Sequence, residues 1–147
     1  MSVMRPTIAP PRISRRKTRS VYVRDLIIGS EGPISVQSMC ATKTQDIDAT
    51  LNQVRMLEEH GADVIRIAID SKRDVEALAL IREHTVREHM KARLVVDIQE
   101  SYRLVELVAP HVDKIRYNPG HLHHHEKEVP VLEKVRYIVE QARAHEL

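Results

Sequence analysis

Two arginines occupy matching positions inside apolar segments of the chain. Residues 63–66 and 113–116 both follow the pattern Asp-x-Ile-Arg, which ends at Arg66 in the first segment and at Arg116 in the second. A guanidinium inside an apolar strand is costly unless an anion neutralises it. Two such groups that converge could hold a dianion such as a diphosphate, because each can bind bidentately. The alternative is that each arginine pairs with a carboxylate of the chain, such as Asp97.

Further polar residues lie where predicted strands end. Asp97 lies near the end of the segment 94–98 and is a candidate catalytic group, or else an ion-pair partner for Arg66. Asn118 precedes Pro-Gly, where it could contact a ligand or simply form a turn. Gln37 and Ser38 are expected to end the first strand of the repeat, where they could bind a ligand or satisfy loop backbone.

A group of histidines follows Asn118 directly. It contains His121, His123, His124 and His125. Histidine is a common metal ligand, but adjacent histidines on one loop rarely reach one ion, and no HExxH or multi-cysteine pattern accompanies them. We therefore predict no metal site here and expect anion contact or adventitious metal binding instead.

The elements that position these residues alternate between strand and helix. Apolar runs predict strands at residues 34–39, 63–69, 94–98 and 114–118. Helical spacing follows each run, with Thr44 as a predicted cap, a capping box at Ser71 and Asp74, and a stop at Gly61. The last helix is predicted to bury one face, formed by Val131, Val135, Ile138 and Ala142.

Such alternation indicates a parallel sheet covered by helices, either an open doubly wound sheet or part of a TIM barrel. No Gly-x-Gly-x-x-Gly or Walker loop supports a nucleotide-binding fold. A complete barrel needs eight units and about 250 residues. We therefore predict an α/β fold that is the first half of a (β/α)₈ TIM barrel, with about four βα units, preceded by a basic tail and a short β-hairpin.

The predicted domain organisation is a disordered basic tail at residues 1–17 and a partial barrel domain at 18–147. The hairpin would use the runs 20–23 and 26–28. Residues 1–24 contain seven basic and no acidic residues, although the net charge of the chain is only +2. Such a tail could bind nucleic acid or a membrane or act as a transit peptide, but three prolines oppose an amphipathic helix, and we predict a solvated tail.

Composition narrows the class of protein further. The chain has one cysteine, Cys40, which excludes a disulfide framework within the chain and a multi-cysteine iron–sulfur site. No apolar run has the roughly 18 residues of a membrane span. We therefore expect a cytoplasmic protein that binds neither nucleic acid nor membranes.

Five segments of the chain resemble one enzyme family in the same order. They are residues 15–19, 33–39, 61–68, 96–104 and 112–120, and they resemble successive segments of the 4-hydroxy-3-methylbut-2-enyl diphosphate synthases. The resemblance implies a TIM barrel followed by a smaller domain with a [4Fe-4S] cluster, whose ligands are not in this chain. It also implies reductive opening of 2-C-methyl-D-erythritol 2,4-cyclodiphosphate with electrons from ferredoxin or flavodoxin, by a homodimer when full length.

The same resemblance implies roles for individual residues. Arg66 and Arg116 would hold the substrate diphosphate, Asn118 would lie near the substrate, and Asp97 would be the aspartate of the barrel mouth. Gln37 and Ser38 match the motif of the first strand. Since later strands and the cluster cysteines are missing, we expect this fragment to be inactive alone.

The chain departs from the family pattern at two positions. Gln99 stands where the family usually has histidine, and His121 stands where it usually has asparagine after Pro-Gly. A glutamine amide cannot exchange a proton near neutral pH, so it cannot serve as an acid or base. Two alternatives stay open: another TIM-barrel enzyme acting on a phosphate-bearing or pterin-like substrate, or a non-catalytic half-barrel.

Overall fold

The computed structural model of this protein describes residues 16–99, 101–124 and 126–147 and contains a hairpin and one parallel sheet. The hairpin pairs β1 (Val21–Val23) with β2 (Leu26–Ile28) in antiparallel register. The sheet contains, in spatial order, β3 (Gln37–Met39), β4 (Val64–Ile69), β5 (Arg93–Ile98) and β6 (Lys114–Tyr117). This confirms the predicted half-barrel of four βα units after a hairpin. Of the predicted tail, residues 1–15 lie outside the described residues.

Four α-helices follow the four sheet strands in turn. They are α1 (Ile47–Glu59), α2 (Lys72–Arg87), α3 (Val105–Val108) and α4 (Val131–Ala144). The third is short because 3₁₀ turns flank it, and Pro110 lies in the second of these turns. In the part of the chain that the structure describes, no helix has both the length and the apolar character needed to cross a bilayer.

The helix caps follow the sequence prediction at α2 but not at α1. The Ser71 hydroxyl accepts a hydrogen bond from Asp74 N (3.3 Å), and the Asp74 carboxylate accepts one from Ser71 N (2.8 Å), so the capping box is confirmed. At α1 the prediction of Thr44 was wrong, because Asp46 accepts the capping hydrogen bond from Ala49 N (3.1 Å). The buried Thr44 hydroxyl instead donates to the carbonyl of Ala68 in β4 (2.7 Å).

The two faces of the sheet bury different side chains. Alternate residues of β4 and β5, such as Ile65, Ile67 and Val96, are fully buried in the core that packs against the helices. Each contributes roughly 1.5–3 kcal/mol through burial. On the opposite face Val64 and Val95 form a smaller cluster that is covered by Leu26 of the hairpin. The hairpin therefore closes the amino end of the sheet on the face that points away from the helices.

The aspartates of the repeated Asp-x-Ile-Arg pattern share one structural role. Asp63 accepts a hydrogen bond from Val36 N, and Asp113 accepts one from Leu94 N, each at 2.8 Å. Each carboxylate thus ties the start of its own strand to the strand that precedes it in the sheet. Asp113 is buried and also accepts two hydrogen bonds from Arg82, at 3.0 and 3.2 Å.

Two predicted apolar faces differ from the structure. The first strand of the sheet is Gln37–Met39 rather than residues 34–39, and Ile34 is 78% exposed, because β3 is an edge strand with one neighbour among the described residues. In α4 the predicted core residue Val131 is 38% exposed, whereas Lys134 is 1% exposed. The Lys134 ammonium donates to the carbonyl of Leu122 (2.6 Å), so the helix turns a lysine inward.

Candidate functional site

Two arginines and an aspartate meet on the face of the sheet that points away from the helices. Arg66 Nη2 donates to one oxygen of the Asp97 carboxylate, and Arg116 Nη1 donates to the other. We call Arg66, Asp97 and Arg116 the arginine–aspartate cluster. The two guanidiniums converge as predicted. The alternative is also observed, because a carboxylate of the chain, Asp97, pairs with both of them.

The cluster is buried at its centre and open at one side. The Asp97 side chain is 3% exposed and that of Arg66 20%, whereas that of Arg116 is 49% exposed. Burial alone would raise the pKa of Asp97, but hydrogen bonds from Arg116 and Arg66 outweigh it and hold the pKa below its ordinary value. The carboxylate is therefore ionised at neutral pH, and the cluster carries a net charge of about +1.

The strand register explains why both arginines reach one carboxylate. Arg66 is paired with Val95, and Val95 is paired with Lys114, so Arg116 lies two residues further along its strand. That offset corresponds to about 6.6 Å along the strand, or one residue for each strand crossed. A barrel of eight strands and shear 8 has this stagger, and its interior layers are formed by alternate strands. Asp97 lies between the two arginines on the intervening strand.

One donor of the cluster has no partner in the part of the chain that the structure describes. Arg66 Nε is buried and, among the described residues, finds no acceptor for its hydrogen. A buried donor without a partner costs about 1–3 kcal/mol. An anionic ligand that supplies an oxygen there would recover this free energy, so the cluster has a specific reason to bind one.

The structure does not place the other predicted site residues, Gln37, Ser38 and Asn118, in contact with the arginine–aspartate cluster as directly as the two arginines and Asp97. Gln37 begins β3 instead of ending it, which corrects the predicted position, although it lies on the same face of the sheet as Arg66. Ser38 is in register with Ile65 and therefore lies on the helix-facing side, away from the cluster. Asn118 follows β6 directly, and its side-chain oxygen accepts a hydrogen bond from Gly120 N (3.0 Å), as the turn alternative expected.

The histidine group continues from this turn. His121 lies at the end of the 3₁₀ turn Pro119–His121, and its Nδ1 lies 3.2 Å from the carbonyl oxygen of Gln99, the residue after β5. Its ring stacks on that of His124 with centroids 5.4 Å apart, and His123 contacts His124 at 4.4 Å. His125 lies outside the described residues. The sequence indicated this group of histidines but did not predict that His121 would lie next to the end of β5.

The described residues do not fit an iron–sulfur cluster. Such clusters are held by several cysteine thiolates, whereas Cys40 is the one cysteine of the sequence and is buried in the helix-facing core. Burial raises the pKa of its thiol to about 11, which disfavours the thiolate that a metal needs. Within the described ranges no three histidine, cysteine, aspartate or glutamate side chains are placed to hold a metal ion.

Comparison with known proteins identifies the family. The model of the GcpE TIM-barrel domain matches residues 18–147. The chain is 56% identical over 131 residues to the 4-hydroxy-3-methylbut-2-en-1-yl diphosphate synthase (flavodoxin) of Rhodopirellula baltica, an alignment that covers 89% of this chain and 33% of that protein. It is 47% identical over 111 residues to the protein of the same name from Ruminiclostridium cellulolyticum, covering 75% of this chain and 30% of that protein.

A third relative with this name, from Acidithiobacillus ferrooxidans, is 40% identical over 132 residues, covering 89% of this chain and 33% of that protein. The chain thus spans about a third of the length of the curated relatives that it matches. The match runs through both Asp-x-Ile-Arg segments and the turn that carries His121. On this evidence the chain belongs to the GcpE TIM-barrel family.

Proposed function

We propose that the arginine–aspartate cluster holds the diphosphate group of 2-C-methyl-D-erythritol 2,4-cyclodiphosphate. The whole protein would open this ring reductively to 4-hydroxy-3-methylbut-2-enyl diphosphate. The observation that carries the proposal is the convergence of two guanidiniums, from Arg66 and Arg116, next to a buried donor that has no partner among the described residues. The names of the relatives support the same reaction.

The role of this chain would be to bind and orient the substrate. Arg116 is half exposed and could turn one edge of its guanidinium toward a phosphate while the other edge stays on Asp97. Arg66 is held more rigidly by burial and would present Nε. Asp97 leaves the cluster with a net charge of about +1, which attracts an anion, and a diphosphate has enough oxygens to engage both arginines. Asn118 and Gln37 would complete the binding surface.

Other parts of the reaction would depend on residues outside this chain. The [4Fe-4S] cluster that the family resemblance implies would supply electrons to the substrate, and this chain holds none of its ligands. Among the two donors considered, flavodoxin is favoured over ferredoxin because it appears in the names of the relatives. We also expect the whole enzyme to be a cytoplasmic homodimer and this chain to be inactive alone.

The test is calorimetric binding of the cyclic diphosphate to the full-length protein and to its Arg66→Met and Arg116→Met variants. Each variant should bind more weakly by on the order of 2–4 kcal/mol, about 30-fold to about 1,000-fold in Kd. Arg116→Met should lie at the lower end because solvent screens its half-exposed charge. Arg143→Met, which removes an exposed arginine from the far end of α4, is the matched control. Unchanged affinity in folded Arg66 and Arg116 variants would refute the proposal.

A further inference from the structure

A cavity of about 570 Å³ opens beside the starts of β4 and β5, and we call it the amino-end cavity. Its walls come from the hairpin turn, the last turns of α2 and the segment that joins α2 to β5. Cavities of this size hold small-molecule ligands in many proteins. Arg93 lines it, and Asp97 of the arginine–aspartate cluster lies four residues further along β5, or about 13 Å. The cavity is therefore separate from the candidate site described above.

The side chains around the amino-end cavity carry a net positive charge. Four permanent cations line it: Arg24, Arg82, Lys91 and Arg93. Two lining carboxylates, Asp25 and Asp63, and the buried Asp113 that binds Arg82 leave a net charge of about +1. The cavity thus favours an anion over a cation.

Three of the basic side chains at the cavity are little engaged by the protein. The Lys91 side chain is exposed and has no ion-pair partner among the described residues. Arg24 is 49% exposed and approaches a carboxylate oxygen only through Nε, at 3.7 Å. The imidazole of His89 is exposed as well. Arg82 and Arg93, by contrast, bind carboxylates at 3.0 and 2.6 Å, so the first three are the donors that a ligand can use.

The backbone holds these three side chains in place. The Glu58 carboxylate accepts hydrogen bonds from Lys91 N (3.0 and 3.1 Å) and from Ala92 N (3.0 Å). Arg24 and His89 have φ angles of 53° and 55°, in the left-handed region that residues other than glycine seldom adopt. Such conformations are concentrated at ligand-binding positions. Little backbone reordering would therefore accompany binding.

The carboxyl end of α2 lies at the cavity, and a helix carries a partial negative charge there. This charge is reduced because the last carbonyls are already bonded. Those of His84, Thr85 and Val86 accept backbone hydrogen bonds of 2.9 to 3.1 Å from the three residues that follow the helix. The charged side chains therefore decide which ligand the cavity attracts.

We propose that the amino-end cavity binds a phosphate monoester that carries a small apolar group. A phosphate ester has three terminal oxygens, one for each of Arg24, His89 and Lys91, whereas a carboxylate has two. The apolar group would cover Val86, which is 60% exposed, and the partly buried Met90, both of which line the cavity. This inference does not rest on the proposed function.

The test is NMR of the full-length protein with ¹³C-labelled methionine methyl groups and phenyl phosphate as the probe. The Met90 resonance should shift with a Kd of about 1 mM. That of Met56, which is exposed on α1 outside the cavity, should not shift. Inorganic diphosphate has no apolar group and should bind here at least about tenfold more weakly, so the cavity does not contribute to diphosphate binding at the arginine–aspartate cluster.

Variants test the charge and the apolar wall separately. Lys91→Met should weaken phenyl phosphate binding about fivefold, the scale of one exposed charge pair. Lys72→Met, on an exposed lysine of the first turn of α2, is the matched control and should leave Kd unchanged. Val86→Ser should weaken the binding of phenyl phosphate about threefold and leave that of inorganic phosphate unchanged.

Three outcomes would overturn the inference. The first is a Met90 resonance that stays fixed at about 20 mM phenyl phosphate, where a site of this affinity would be nearly full. The second is an equal Kd in the Lys91→Met and Lys72→Met variants. The third is the same Met90 shift with sodium chloride at equal ionic strength, which would show an adventitious salt effect only.

Discussion

Replacing Asp97 by asparagine should separate anion binding from fold stability. The side chain keeps nearly the same shape but loses the charge that Arg66 and Arg116 share. The cluster would go from a net charge of about +1 to about +2. We therefore expect Asp97→Asn to weaken the fold and to strengthen the binding of a bare anion, which is the opposite of what damage to a binding site normally does.

The size of both effects can be worked from the burial of the three side chains. At a separation of about 5 Å and an effective dielectric constant of about 20, removing one repulsive unit charge is worth about 3 kcal/mol. Arg116 is 49% exposed, so solvent and salt should reduce this to about 1 kcal/mol, or about fivefold in Kd. The folded state should lose about 2 kcal/mol, because Arg66 is 20% exposed and keeps only a neutral acceptor.

The assay is titration calorimetry with inorganic diphosphate at low and at high salt, together with urea unfolding of the same samples. Asp25→Asn is the matched control, since it removes the same charge from the Arg93 pair at the opposite end of the sheet, where Asp25 is 77% exposed. It should leave diphosphate affinity unchanged. If folded Asp97→Asn binds diphosphate no more tightly than wild type at low salt, the cluster is not the anion site that the electrostatics indicate.

Two further predictions concern stability. Burial alone would raise the pKa of Asp74, but hydrogen bonds from Gln45 and Ser71 bring it below its ordinary 3.8, and the pKa of Asp97 is lowered likewise. The two ionised carboxylates therefore contribute stability that is fully present above pH 3.8 and is lost as the pH falls through their lower folded-state pKa values. The urea midpoint should drop steeply below about pH 4. The drop should be smaller in Asp97→Asn, which lacks one of the two carboxylates. Ser71→Ala should cost about 1 kcal/mol in urea unfolding by removing the cap of α2, whereas Ser101→Ala, whose side chain makes no cap hydrogen bond, should cost less than about 0.5 kcal/mol; equal losses would contradict the capping argument.

The sheet could be predicted from the sequence because β4 and β5 are buried on both faces. Continuous apolar runs such as 64–69 leave little choice of structure, and Asp74 three residues after Ser71 marks the start of α2. The matching positions of Arg66 and Arg116 in two alternate strands led to the hypothesis that their side chains converge, with pairing to a carboxylate such as Asp97 as the alternative. A strand that is buried on both faces must be apolar at nearly every position, so its sequence identifies it without knowledge of the neighbouring strands.

The errors lie where tertiary contacts decide between local alternatives. Threonine and aspartate are both good helix caps. Asp46 caps α1 because the Thr44 hydroxyl donates its hydrogen bond to the carbonyl of Ala68 instead. Lys134 was not expected in the core, since a lysine is buried only where a partner such as the Leu122 carbonyl is supplied by another segment. His121 reached Gln99 through the course of a turn, which spacing alone does not define.

The hairpin at the amino end of the sheet has a consequence for the order in which the chain assembles. Its Asp25 bonds to Arg93, 68 residues later, and its Arg24 approaches the carboxylate of Asp113 at 3.7 Å. Contacts between such distant residues form slowly, since a long loop must close before they are gained. During synthesis the hairpin leaves the ribosome before the four strands of the sheet, yet it cannot make these contacts until β5 and the start of β6 have emerged. The hairpin is thus synthesised before the sheet but is among the last parts of this domain to form its native contacts.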